Sequence, residues 1–92
     1  MEPRLSAIKF NKGPALMDAI IYVISDETGI DMELITPESR FFEDLNLDEL
    51  NLYEIILRCE NEFDVTISNE SAANIITVQD LHDVIHPLLY EP

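Results

Sequence analysis

Basic residues are scarce: 5 Lys and Arg stand against 19 Asp and Glu, for a formal net charge of −14 over 92 residues. A nucleic-acid-binding role is disfavoured, because phosphate contacts need clustered cations. An anionic membrane surface is disfavoured for the same reason. Cysteine is nearly absent. Cys59 alone allows no intrachain disulfide, so the fold does not depend on an oxidising compartment. No apolar run approaches the roughly 18 residues of a membrane span, and the N-terminus lacks a signal-peptide core. Cytoplasm or an organelle matrix is therefore the expected compartment. There is no D-x-D-x-D-G loop for calcium and no Ser–His–Asp or Cys–His spacing that stands out. His82 and His86 lie four apart with Asp83 between them, but a metal needs a third convergent ligand, and they read as surface histidines. No metal site and no enzyme activity are expected.

What is present is enough for one packed domain. Hydrophobic residues make up 47% of the chain, too many for a disordered segment, while the length allows only one modest core. Acidity of this degree either keeps the protein soluble or complements a basic protein surface. The charge is uneven: residues 1–13 hold Arg4, Lys9 and Lys12 against Glu2, whereas the remainder holds 18 acids against Arg40 and Arg58. Residues 1–13 read as a separate basic extension, either a native arm or an appended stretch, and residues 14–92 as the domain.

Pro14 suits a first helical turn, and Leu16, Ala19, Ile20, Val23 and Ile24 recur at i, i+3, i+4 spacing until Thr28-Gly29 stops them. Helix 1 is expected over about 14–27. A long connection, 30–47, follows. Ile30, Leu34, Ile35, Phe41, Phe42 and Leu45 are its anchors, and Pro37 fixes a turn. Asp48 is a good N-cap and Glu49 meets the positive end of the helix dipole. Leu50, Tyr53, Ile56, Leu57 and Phe63 then form the expected apolar stripe of a helix from Glu49 to Phe63, with Cys59 as a packing residue. Glu54 and Arg58 are placed for an i,i+4 pair. Ser68 or Asn69 starts a brief helix to about Asn74. Thr77-Val78-Gln79-Asp80 resembles a capping box before a last helix striped by Val78, Leu81, Val84, Ile85, Leu88 and Leu89, which Pro87 is expected to bend or end. Strand content is nil or trivial. The fold class is all-α, a four-helix bundle of three longer helices and one short one.

These segments together resemble an acyl carrier protein, the small acidic four-helix protein of fatty-acid and polyketide synthesis. The resemblance covers Pro14–Ile85 and rests on Thr36-Pro37-Glu38 before a Phe, Phe42-x-Asp44-Leu45, Asp48-x-Leu50, Glu54, Glu60-x-Glu62-Phe63-Asp64, Ile67, Ile75-x-Thr77-Val78 and Asp80. No gap is needed between Phe42 and Asp80. In that family the centre of the motif reads Asp-Ser-Leu, and the serine carries a 4′-phosphopantetheine arm. Here it reads Asp48-Glu49-Leu50, and a glutamate has no hydroxyl to take the phosphodiester. The resemblance thus implies a carrier whose attachment position, Glu49, is not competent, with no cofactor expected on it. A glycine two residues before the Asp is replaced by Asn46, which tolerates a left-handed backbone. The proline after the Ile67 position is replaced by Ser68. Neither Ser39 nor Ser68 is aligned as a substitute attachment point. Departures scattered over Asn46, Asn51 and Ser68 favour a natural variant over a single engineered change.

The resemblance also implies a docking face along helix 2, where carboxylates meet Arg and Lys of partner enzymes. The corresponding residues are Asp44, Asp48, Glu49, Leu50, Glu54 and Glu60. A monomeric acidic module that docks on a basic partner, such as a synthase or another carrier-interacting enzyme, is the first expectation. The alternative is an accessory acyl carrier protein of fatty-acid or polyketide biosynthesis, natural or engineered in an inactive form. Glu49 itself reads either as a mimic of the phosphodiester charge or as an ordinary favourable residue in a first helical turn.

Overall fold

Stretches with apolar residues at helical spacing become helices, and left-handed residues, Gly29 and Asp64, follow the two longer ones at Gly13–Thr28 and Glu49–Phe63. The computed structural model describes residues 13–90. Helix α1 spans Gly13–Thr28, a 3-10 turn spans Met32–Leu34, α2 spans Glu49–Phe63, α3 spans Asn69–Ala72 and α4 spans Val78–Tyr90. Among the described residues the β-structure is one isolated antiparallel bridge between Arg40 and Thr77. The basic extension expected over residues 1–13 lies outside the described residues, apart from Gly13, the first residue of α1.

Helix α1 ends as its sequence dictates. The Thr28 hydroxyl donates to the Ile24 carbonyl at 2.6 Å, and Gly29, at φ +85°, donates its N–H to the Ser25 carbonyl at 2.8 Å. Leu16, Ile20, Val23 and Ile24 are buried, and α1 packs against both α2 and α4. Around it Ile35, Phe41, Leu52, Ile55, Ile56, Cys59, Phe63, Ile67, Ile75, Val78, Leu81 and Ile85 complete one core. Burying such a set is the main force that closes the domain.

The face that α2 buries shares Ile56 and Phe63 with the stripe expected from periodicity and departs from it at Leu50, Tyr53 and Leu57. Leu52, Ile55, Ile56, Cys59 and Phe63 are inside, whereas Leu50 and Tyr53 are 62% and 58% exposed and Leu57 is exposed as well. Two overlapping apolar stripes occupy this helix, and spacing alone cannot tell which one turns inward. Packing on the rest of the core takes in Leu52, Ile55, Ile56, Cys59 and Phe63 and leaves Leu50, Tyr53 and Leu57 on the surface.

The long connection is pinned by backbone bonds as well as by Phe41. Phe41 donates its N–H to the Ile76 carbonyl at 3.0 Å, Val78 to that of Ser39 at 3.0 Å, and Gln79 to that of Pro37 at 2.8 Å. The loop is thereby stitched to the start of α4. At that start the Thr77 hydroxyl accepts the Asp80 N–H, while the Asp80 carboxylate accepts the N–H groups of Ile76 and Thr77, so the expected capping box is present. Ser68 caps α3 through a bond from the Ser71 N–H at 3.0 Å, but α3 stops at Ala72 rather than Asn74. The Asn74 side chain donates back to the Glu70 carbonyl at 3.3 Å and closes that end. Pro87 does not end α4, which continues to Tyr90. Its lost hydrogen bond falls in the last turn, and Val84, Leu89 and Tyr90 hold that turn by packing on the core.

Candidate functional site

The start of α2 is built from three local devices. Asn46 takes a left-handed backbone, φ 57°, which turns the chain into the helix without glycine. The Asp48 carboxylate accepts the Asn51 N–H at 2.8 Å, and the Asn51 side chain accepts the Asp48 N–H at 3.0 Å, a reciprocal cap. Asn51 therefore serves as the third residue of the box, a role usually given to Glu or Gln. Glu49 is then the first residue of the helix, exposed and facing solvent with Leu50 and Tyr53.

The six expected docking residues divide into two groups. Asp44 is bonded at both oxygens by Arg40, at 3.1 and 3.2 Å, and also accepts the Arg40 N–H at 2.8 Å. Arg40 also pairs with Glu43. The guanidinium holds the Asp44 carboxyl below the usual carboxylate range, through a side-chain hydrogen bond before any other cause. Asp48 is engaged as the cap. Glu60 accepts the Ile67 N–H at 2.7 Å and so fixes the link from α2 to α3. Glu49, Leu50 and Glu54 are the exposed remainder. The pair expected between Glu54 and Arg58 does not form. Arg58 reaches Asp26 at 2.9 Å, Glu27 at 3.0 Å and Glu62 at 3.2 Å, because its fork lies against the C-terminal end of α1. Glu54 lies exposed on the surface, unpaired with Arg58.

Beside this face lies an open groove of about 330 Å³, walled by Phe42, Glu49, Leu52, Tyr53 and Ile56 on one side and by Asn69, Ala72, Ala73 and Ile75 on the other. Periodicity does not reveal this groove, because it places Tyr53 in the core and makes Phe42 only a loop anchor. The signal was the Phe41-Phe42 doublet: neighbouring residues point apart, and only Phe41 enters the core.

Residues 18–85 match the family described as "Phosphopantetheine attachment site". An acyl carrier protein of Syntrophobacter fumaroxidans is 38% identical over 71 residues, covering 77% of this chain and 88% of that one. One from Chlorobium phaeovibrioides is 41% identical over 70 residues, covering 76% and 90%. A solved structure assigned as an acyl carrier protein from Mycobacterium tuberculosis superposes with a TM-score of 0.73 at 34% identity, covering 77% of this chain and 95% of that one.

The chain belongs to the acyl carrier protein family.

The all-α fold is that of an acyl carrier protein, and the family is one of carriers, not enzymes. Among the described residues, no helix is long and apolar enough to cross a membrane, and no group of three or more His, Cys, Asp or Glu is placed to hold a metal ion. His82 lies 3.2 Å from the Asp83 carboxylate, and its ring centre is 5.5 Å from that of His86. Cys59 is buried, and burial pushes its thiol up to about 12, which leaves it a packing residue.

The family's arm is a phosphodiester on a hydroxyl, and the donor set at the start of α2 does not fit it. Position 49 offers a carboxylate. The serines nearest in the sequence are engaged elsewhere: Ser39 is buried and accepts the Thr36 N–H at 3.0 Å, and Ser68 caps α3.

Proposed function

We propose that this protein serves fatty-acid or polyketide biosynthesis as an accessory acyl-carrier-type protein, docking on basic partner enzymes while carrying no 4′-phosphopantetheine on residue 49. The relatives, named as acyl carrier proteins, favour a place in acyl chemistry over an acidic docking module unrelated to it. The observation that carries the reading is Glu49, a carboxylate at the first residue of an otherwise well-formed α2 start. A carboxylate there is favourable for the helix in its own right, by about 0.3–1 kcal/mol. It leaves no hydroxyl for the arm.

Work then falls to the exposed side of α2. Glu49 and Glu54 frame Leu50, Tyr53 and Leu57, an apolar stripe with a charged border, which is the usual make-up of a specific interface. Asp44, Asp48 and Glu60 support this face by holding the loop, the cap and the α2–α3 link. The test is a titration of the protein against a condensing or acyl-transfer enzyme from the same source, at low and raised salt. Binding should weaken severalfold as salt rises, and further with Glu54→Lys. Binding that ignores both salt and Glu54→Lys overturns the docking reading.

A further inference from the structure

The groove beside α2 carries a charge that nothing in the described chain answers. Glu49 forms part of its wall. The Lys and Arg side chains among the described residues are Arg40 and Arg58 alone. Both are engaged, Arg40 by Glu43 and Asp44, and Arg58 by Asp26, Glu27 and Glu62. The positive end of α2 supplies roughly half a charge and is shared with Asp48, so a net anion remains at the rim. The rest of the wall is apolar or aromatic: Phe42, Leu52, Tyr53, Ile56, Ala72 and Ile75. At about 330 Å³ the groove sits at the small end of ligand sites, which run from roughly 300 to 1,000 Å³. That is room for one long side chain.

We propose that this groove is the anchor point for a single arginine of a protein partner. The aliphatic stem would lie on Leu52, Ile56 and Ala72, and the guanidinium would meet Glu49 and the rings of Phe42 and Tyr53. Arginine fits better than lysine because its weakly hydrated planar head stacks on aromatic faces while it pairs with a carboxylate. A fatty carboxylate is disfavoured, since Glu49 and the −14 net charge both repel it. The inference rests on the docking reading above and deepens it, naming the residue type that seats the partner.

The experiment is an NMR titration of the full chain with acetyl-Leu-Arg-Leu-amide and with its citrulline twin, which keeps the shape and lacks the charge. With the arginine peptide, shifts should gather at residues 42, 49–56 and 69–75, and the citrulline peptide should bind roughly threefold to tenfold more weakly. Glu49→Gln and Tyr53→Ala should each weaken the arginine peptide by a similar factor, and Glu54→Gln by less than about twofold. Far-UV circular dichroism checks that the variants fold. Shifts spread over all the acidic surfaces, with Glu49→Gln and Glu54→Gln equivalent, overturn the anchor and leave salt-dependent docking standing. Decanoate moving the groove resonances more than the arginine peptide does also overturns it. So does movement of those resonances in the free chain when Arg4, Lys9 and Lys12 are all changed to Gln, since the chain's own extension is then the occupant. Failure of the docking reading shows differently, as salt-insensitive binding to the partner enzyme.

Discussion

Replacing Arg58 by Met should loosen the joint between α1 and α2 more than any other single charge change. Arg58 is 26% exposed and bonds three carboxylates: Asp26 and Glu27 at the end of α1, and Glu62 one turn further along α2. Its own pKa is raised, chiefly by the bond to Asp26. Exposed ion pairs contribute about 0.2–1 kcal/mol each, and these three share one partly sheltered cation, so their loss should cost about 1–2 kcal/mol. The variant also leaves three carboxylates clustered with no counter-charge. A chain of this size is stable by about 5–14 kcal/mol, so the loss is a sizeable fraction. It corresponds to a drop in Tm of roughly 4–16 °C. Urea unfolding followed by far-UV circular dichroism at neutral pH measures it directly. The deficit should shrink as salt rises, because the Debye length falls from about 10 Å at 0.1 M to about 3 Å at 1 M. Arg58→Lys should recover part of it, keeping the charge and losing the fork. Arg40→Met is the contrast. Arg40 is 51% exposed and pairs only with neighbours in its own turn, so its loss should cost clearly less than that of Arg58. A deficit for Arg58→Met below about 0.5 kcal/mol, or one unchanged by salt, would show that Arg58 does not tie α1 to α2 through these ion pairs.

Asn46→Ala should cost about 1 kcal/mol in the same assay, since alanine strains at φ 57°, whereas Asn46→Gly should be close to neutral. Equal losses for the two would show that the left-handed turn is not what Asn46 provides. The Asp44 carboxyl should titrate below the ordinary value of about 3.9 by NMR, and Arg40→Gln should move it back up. Because its folded value is depressed, the stabilisation it gives is present above the unfolded value and is lost as pH falls through the folded one. The Cys59 thiol, buried and raised to about 12, should resist alkylation in native buffer and react at the rate of unfolding when urea is added. Rapid labelling of the native protein would contradict its burial.

Helix existence and caps were legible in the sequence because each is decided locally. Gly29, Asp48, Ser68 and the Thr77–Asp80 box act within a few residues, and all do what their chemistry suggests. The rotation of α2 was not legible. Leu50, Tyr53 and Leu57 compete with Leu52, Ile55 and Cys59 for the core at nearly the same spacing, and only packing on α1 decides. The partner of Arg58 was hidden for a related reason: the i,i+4 rule knows one helix, while the better carboxylates come from α1, 31 and 32 residues away in sequence. Pro87 shows the same override, as packing of Leu89 and Tyr90 outweighs one lost bond. At the functional face, position 49 was readable from the motif, but the separation of free from engaged carboxylates needed three dimensions.

Glu49 leaves this chain a carrier platform without an attachment hydroxyl. Intact mass spectrometry after incubation with coenzyme A and a phosphopantetheinyl transferase tests it most directly, with Glu49→Ser alongside the unchanged protein. No adduct is expected on the unchanged chain, and one phosphopantetheine on Glu49→Ser. An arm on the unchanged chain, or none on the serine variant, contradicts it.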